Sequence, residues 1–188
     1  MSPETGPGKL VAVYGSGSAP PGHAVLAQAE RLGQLLAEAG FSLICGGYGG
    51  TMEAVCLGAH RLERDDVRLM GVTMDLFSPP LEPNRWLTDE ERVRDFFPRL
   101  ERLTSADAFI VLQGGIGTLT EATLVWSLLQ TGQISPRPFV FVGSCWRRLF
   151  GALWAETLMT HREFELAMVV DTVDEAVAAI SKGLSPTP

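Results

Sequence analysis

Lysine is almost absent from this chain, which carries only Lys9 and Lys182 against thirteen arginines. A Schiff-base enzyme keeps a lysine in its pocket, and a Walker A turn places one directly after its glycines. Lys9 opens an apolar run and Lys182 sits near the C-terminal tail, so both chemistries are excluded. Cysteine is nearly as rare. Cys45, Cys56 and Cys145 are odd in number and unpaired in spacing, which reads as reduced thiols with neither a disulfide framework nor zinc. His23, His60 and His161 are scattered without metal-ligand spacing and read as surface or helix-end residues. No metal and no cofactor is expected. No apolar run approaches membrane-spanning length, and the opening MSPETGPGKL has no apolar leader core, so a cytoplasmic protein without a membrane partner is expected. Positive charge is also short. A net charge of −7 argues against a broad face for nucleic acid or another polyanion. A single phosphate held by backbone amides needs no such face.

What is present is an apolar chain, 46% hydrophobic over 188 residues, enough for one domain with a core that needs no staples. Residues 1–8 and 183–188 read as tails. Between them, strands and helices alternate: strands at 9–14, 41–45, 67–74, 108–112, 138–142 and 166–170, with apolar residues at helical spacing after most of them. No hairpin signal separates the strands. The pattern predicts an α/β fold with a doubly wound, mostly parallel sheet, Rossmann-like in three α/β/α layers. Residues 75–84 hold three prolines and read as a surface excursion suited to a lid or an oligomer contact. Thr88-Asp89-Glu90-Glu91 has the form of a capping box opening a helix, with Pro98 in the first turn of a further segment from Arg99 to Ser105.

Three glycine-rich turns follow three of the strands. The richest is Gln113-Gly114-Gly115-Ile116-Gly117-Thr118, after the apolar run 108–112 and before a helix. Glycines 114, 115 and 117 remove Cβ atoms from the turn and permit positive φ. The helix behind them aims free N–H groups and its positive dipole end at the turn, an arrangement that holds an anion such as phosphate. Gly15-Ser16-Gly17-Ser18 ends the first strand, and Gly46-Gly47-Tyr48-Gly49-Gly50 the second. In a sheet ordered 3-2-1-4-5, the first and fourth strands are neighbours at the switch point, so the turns at Gly15–Ser18 and Gly114–Thr118 would line one crevice. On residue type alone, Thr118 reads as a phosphate contact and Glu121 as the far end of a T-x-x-E cap, a pattern repeated at Thr88 and Thr172. Arg99 and Arg102 read as a solvated helix face. Glu53 either points into the crevice or complements its helix's N-terminus.

GGIGTLTE after ADAFIVL resembles the PGGxGTxxE motif of the LONELY GUY family, formerly described as lysine decarboxylases. VYGSGS is similar to that family's first glycine turn, and GGYGGTMEAV to its GGGxxGLM segment, with order and spacing in agreement from about residue 9 to 145. The resemblance implies a homodimer or higher homo-oligomer with a Rossmann-like fold. It also implies an enzyme that cleaves the N-glycosidic bond of AMP, or of an N6-substituted AMP, to free base and ribose 5-phosphate. Carried over, Gly114, Gly115, Gly117 and Thr118 would hold the 5′-phosphate with Ser16 and Gly15 across the crevice, and Gly46 and Gly47 would line the substrate site. Glu121 would face the ribose. Arg99 would match the motif arginine, with Arg102 left open as its equivalent, and carboxylate and arginine would lie on opposite sides of the sugar-to-base bond. Two departures stand out: Gln113 in place of the motif's proline, and Phe96-Phe97-Pro98-Arg99 in place of an HERK-type segment. They leave open a non-catalytic nucleotide or phosphorylated-cofactor carrier.

Overall fold

The computed structural model describes residues 8–75 and 80–185. Its strands are β1 (Leu10–Tyr14), β2 (Ser42–Cys45), β3 (Leu69–Met74), β4 (Asp89–Val93), β5 (Ala108–Val111), β6 (Phe139–Val142) and β7 (Met168–Val170). They form one sheet in the order β4-β3-β2-β1-β5-β6-β7, and every pairing is parallel. The predicted adjacency of the first strand and the strand at 108–112 is therefore real. β1 and β5 run side by side with Val11 opposite Ala108 and Tyr14 opposite Val111.

Strands β1, β5 and β6 are apolar without a break because helices cover both of their faces. Helices α1 (Ala24–Glu38), α2 (Thr51–His60) and α7 (Val173–Leu184) bury Leu32, Leu36, Val55 and Ile180 on one side. On the other side lie α3 (Phe96–Leu103), α4 (Ile116–Gln130), α5 (Ser144–Glu156) and the short α6 (His161–Phe164), centred on Leu103, Val125, Trp126 and Trp146. The three-layer α/β/α architecture is thus present.

Helices α1 and α2 touch at backbone distance. A Cβ at Gly33 would collide with the Val55 carbonyl, and one at Gly58 with the Glu30 carbonyl. This contact fixes how the first two glycine turns sit relative to each other.

One predicted element is of the wrong type. Thr88-Asp89-Glu90-Glu91 does not cap a helix; it enters β4, a seventh strand not anticipated from the sequence. The Thr88 N–H donates to the Leu69 carbonyl at 2.9 Å, the Thr88 hydroxyl accepts from the Leu69 N–H at 2.8 Å, and Asp89 pairs with Arg68 at 2.8 Å. Pairing to β3 outweighs the local cap pattern. Its charges also suit a sheet edge, where they discourage further strand addition.

Asp95, instead, caps the next helix by accepting from the Phe97 N–H, and Pro98 falls in that helix's first turn as expected. Of the excursion at 75–84, positions 76–79 lie outside the described residues. Its end does not stay on the surface, since Asn84 is buried and its N–H donates to the Gly47 carbonyl at 2.8 Å. The predicted tails at 1–8 and 183–188 fall mostly outside the described residues, but Gly183 and Leu184 belong to α7.

Candidate functional site

β1, β2 and β5 end on the same side of the sheet, so their three glycine turns converge there. The first is stitched to the second: the Ser16 carbonyl accepts both the Thr51 N–H at 2.9 Å and the Thr51 hydroxyl at 3.1 Å. Gly15 leaves room for that hydroxyl, which a Cβ would strike. Between the turns after β1 and β5 lies a crevice of about 240 Å³, lined by Ser16, Ser18, His23, Gln113, Gly114 and Gly115 among others. The two turns brought together by the sequence argument do share one cavity.

At the β5 turn, α4 starts at Ile116 with Gly115 as its N-cap. Among the described residues, the N–H groups of Ile116, Gly117 and Thr118 donate to no protein acceptor. A Cβ at Gly115 or Gly117 would meet nothing within 4 Å, so the amides are open to an approaching group. Gly114 differs, being packed against the Thr118 side chain. The expected use of positive φ is not made here. Gly115 has φ −99°, and the left-handed glycines of the site are Gly47 and Gly50 in the β2–α2 turn. The β5 turn is glycine-rich for access rather than for backbone conformation.

Because α4 starts at Ile116, Thr118 and Glu121 lie inside it and cannot form a capping box, which corrects the reading of Glu121 as a plain cap. Glu121 is instead 9% exposed, and its Oε1 lies 3.5 Å from Nη1 of Arg99. Arg99, at 6% exposure, is no solvated surface residue either. Its Nε donates to the Val72 carbonyl at 2.9 Å and its Nη2 to the Gly46 carbonyl at 3.1 Å. Arg102 faces away, donating to Glu91 on β4 at 2.6 Å. Of the two candidate arginines, Arg99 is the one brought to Glu121.

The two groups are in direct contact, and Arg99 offsets part of the cost of burying the Glu121 charge. Burial pushes the Glu121 carboxyl up to about 7, against the downward pull of Arg99. Tyr14, whose hydroxyl donates to the Leu103 carbonyl at 2.9 Å, is held well above the usual phenol range by burial and then by the nearby Glu121 charge.

Other predicted residues have different neighbours. Gly46 serves Arg99, since a Cβ there would take the place of the guanidinium, and Gly47 packs on Gly71 and Thr73. Glu53 is half-buried in the first turn of α2 and lines a separate hollow of about 490 Å³ with Trp86 and Arg85, not the crevice beside Gly114. All three histidines stand at helix ends, and His23 caps α1 by accepting the Val25 N–H at 3.2 Å.

Two features had no sequence signal. Tyr48 lies with its ring centroid 5.9 Å from the Arg99 guanidinium carbon. The buried thiols of Cys45 and Cys56 lie 3.9 Å apart, the hydrogen bond between them drawing Cys45 down and pushing Cys56 up. These cysteines are eleven positions apart, and the β2–α2 turn brings them together.

Both lysines are remote from this constellation. Lys9 pairs with Asp107 at the opposite end of β1 and β5, and Lys182 lies in the last turn of α7.

A parallel doubly wound sheet with glycine turns gathered at its switch point defines a Rossmann-like α/β protein. More narrowly, the chain belongs to the family described as "Possible lysine decarboxylase", whose model matches residues 52–180, and this is the LONELY GUY-like group that the motifs indicated. Residues 9–74 also match the SLOG cluster4 family. No curated protein matches the chain.

Solved structures share its fold. The molybdenum cofactor binding protein of Rippkaea orientalis is 21% identical, with a TM-score of 0.74 over 95% of this chain and 98% of its own. The molybdenum cofactor carrier protein of Chlamydomonas reinhardtii is 21% identical, with a TM-score of 0.70 over 95% and 99%. The structural-genomics target TM1055 is 24% identical, with a TM-score of 0.70 over 93% and 99%. Among the described residues no helix is long and apolar enough to cross a membrane.

Proposed function

We propose that the protein is a nucleoside 5′-monophosphate phosphoribohydrolase, cleaving AMP or an N6-substituted AMP to free base and ribose 5-phosphate. The observation that carries this reading is one helix doing two things. The N-terminus of α4 offers unpaired amides beside the crevice, and its second turn buries Glu121 against Arg99.

The 5′-phosphate would sit on the amides of Gly115, Gly117 and Thr118, beside Gly114, with Ser16 and Gly15 on the facing wall. The ribose would then lie over Glu121. As the C1′–N bond breaks, the sugar gains oxocarbenium character, which an ionised Glu121 stabilises. Water adds to C1′ and its proton leaves with the base, so that AMP and water balance base and ribose 5-phosphate. Arg99 keeps Glu121 ionisable near neutrality and presents cationic donors toward the departing base. A lysine-dependent decarboxylation has no lysine to use here, despite the family's description.

The test is incubation with AMP and with N6-isopentenyl AMP, followed by assay of ribose 5-phosphate. Release is expected from the native protein, and Glu121→Gln should lower kcat by about a hundredfold or more while AMP still binds. Release that survives Glu121→Gln would overturn the assignment.

A second reading, a non-catalytic carrier of a nucleotide or phosphorylated cofactor, is favoured by the crevice beside Gly114, whose lining includes neither Glu121 nor Arg99. Gln113, the altered segment before Arg99, and the cofactor-binding and cofactor-carrier roles named for two proteins of this fold point the same way. Saturable binding of AMP or a pterin phosphate without release would establish it. In either case we place the protein in the cytoplasm, where nucleotides are abundant, as a homodimer or higher homo-oligomer. Phe97 and Ile116, each 80% exposed, stand near Arg99 and the β5 turn and suit such a contact.

A further inference from the structure

An arginine side chain turns about several single bonds, so a guanidinium used at a site must be restrained both in its plane and across it. In-plane restraint on Arg99 comes from the Val72 and Gly46 carbonyls and from Glu121. Hydrogen bonds at the edge set where the donors point but resist tilting of the plane only weakly.

Tyr48 supplies a flat partner. Its ring centroid lies 5.9 Å from the guanidinium carbon, within range of a cation–π contact, and the residue is 5% exposed, so little water screens the attraction. The ring is itself fixed: the Tyr48 hydroxyl donates to the Met74 carbonyl at 3.2 Å and accepts the Met74 N–H at 2.7 Å. Met74 closes β3 two residues beyond Val72, the residue whose carbonyl takes Arg99 Nε. Gly47 lies between Gly46 and Tyr48, and its φ of +79° turns the chain there. One short turn therefore delivers both an edge acceptor and an aromatic ring to the same guanidinium.

We propose that Tyr48 is a positioning residue for Arg99, holding its guanidinium in the attitude that addresses Glu121 and the leaving base. The inference rests on the functional reading of Arg99 and Glu121 given above. It deepens that reading by assigning a role to the non-glycine residue at the centre of the second glycine turn.

The test compares Tyr48→Leu, which removes the ring, with Tyr48→Phe, which keeps the ring and loses its anchor at Met74. Two readouts are needed on the full chain: the Arg99 Nε–H signal in proton–nitrogen NMR, identified by its loss in Arg99→Lys, and kcat and KM for AMP. In Tyr48→Leu the Arg99 signal should broaden away and kcat fall about tenfold with KM within about twofold. Tyr48→Phe should retain the signal and lose about threefold in kcat. An unchanged Arg99 signal in Tyr48→Leu would overturn the proposal. So would a loss confined to KM, or equal losses in both variants that follow a lowered Tm alone. If the native protein releases no base, the hydrolase reading fails, and the NMR comparison alone decides the role of Tyr48.

Discussion

At the scale of single residues, the site turns on a carboxyl moved by its surroundings. Glu121 is raised from 4.5 to about 7, chiefly by burial, with Arg99 acting in the opposite sense. If catalysis needs the carboxylate, kcat for AMP should rise with pH through an apparent pKa near 7 and then level off. Arg99→Met removes the lowering influence, so this limb should move to higher pH while the plateau drops; a pH–rate profile checks both.

Stability carries the same signature with the opposite slope. An acid whose folded pKa exceeds its unfolded value contributes fully below the unfolded value and loses that contribution as pH climbs to the folded one. The window here runs from 4.5 to about 7. The Tm of the native protein should therefore decline relative to Glu121→Gln across that window, and a constant difference would contradict the assignment. None of this was legible in T-x-x-E. The spacing is the same for a cap and for a buried functional carboxyl, and the choice depends on where the helix starts and what Arg99 reaches.

At the scale of elements, the contact between α1 and α2 is the tightest constraint on the glycine turns. Replacing a helical glycine by alanine gains up to about 1 kcal/mol of helix propensity when space is available. At Gly58 the new methyl would strike the Glu30 carbonyl, a backbone atom that cannot rotate away. Gly58→Ala should lose about 2–4 kcal/mol in denaturant unfolding. Gly151→Ala in α5, where nothing lies within 4 Å, should be neutral or mildly stabilising. Apolar periodicity made nearly every helix and central strand legible. Two elements were missed: the one-turn α6, too short to show a period, and the edge strand β4, whose sequence DEERV carries none because an edge strand buries little and is held by its neighbour's backbone.

At the scale of the whole molecule, strand order was legible through the rule that ligand turns gather where the order reverses, and β1 beside β5 bears it out. The pairing of Cys45 with Cys56 and the placing of Tyr48 under Arg99 were not, since each depends on how the β2–α2 turn folds back. A molecule of net charge −7 has little long-range attraction for anions, so on the proposed reading AMP is held by local contacts. AMP affinity, measured calorimetrically between about 50 and 300 mM salt, should change by less than about threefold; a steep decline would indicate a basic surface at odds with that net charge.

The early start of α4 also sets a length scale. Glu121 stands five residues past Ile116, about 7–8 Å along the axis. On the proposed reading, a nucleotide anchored at the helix's first amides presents its sugar to Glu121 at that reach. The helix would then act as a ruler: lengthening the ester by one phosphate should slide the sugar out of register, so that the ligand's span counts as much as its charge.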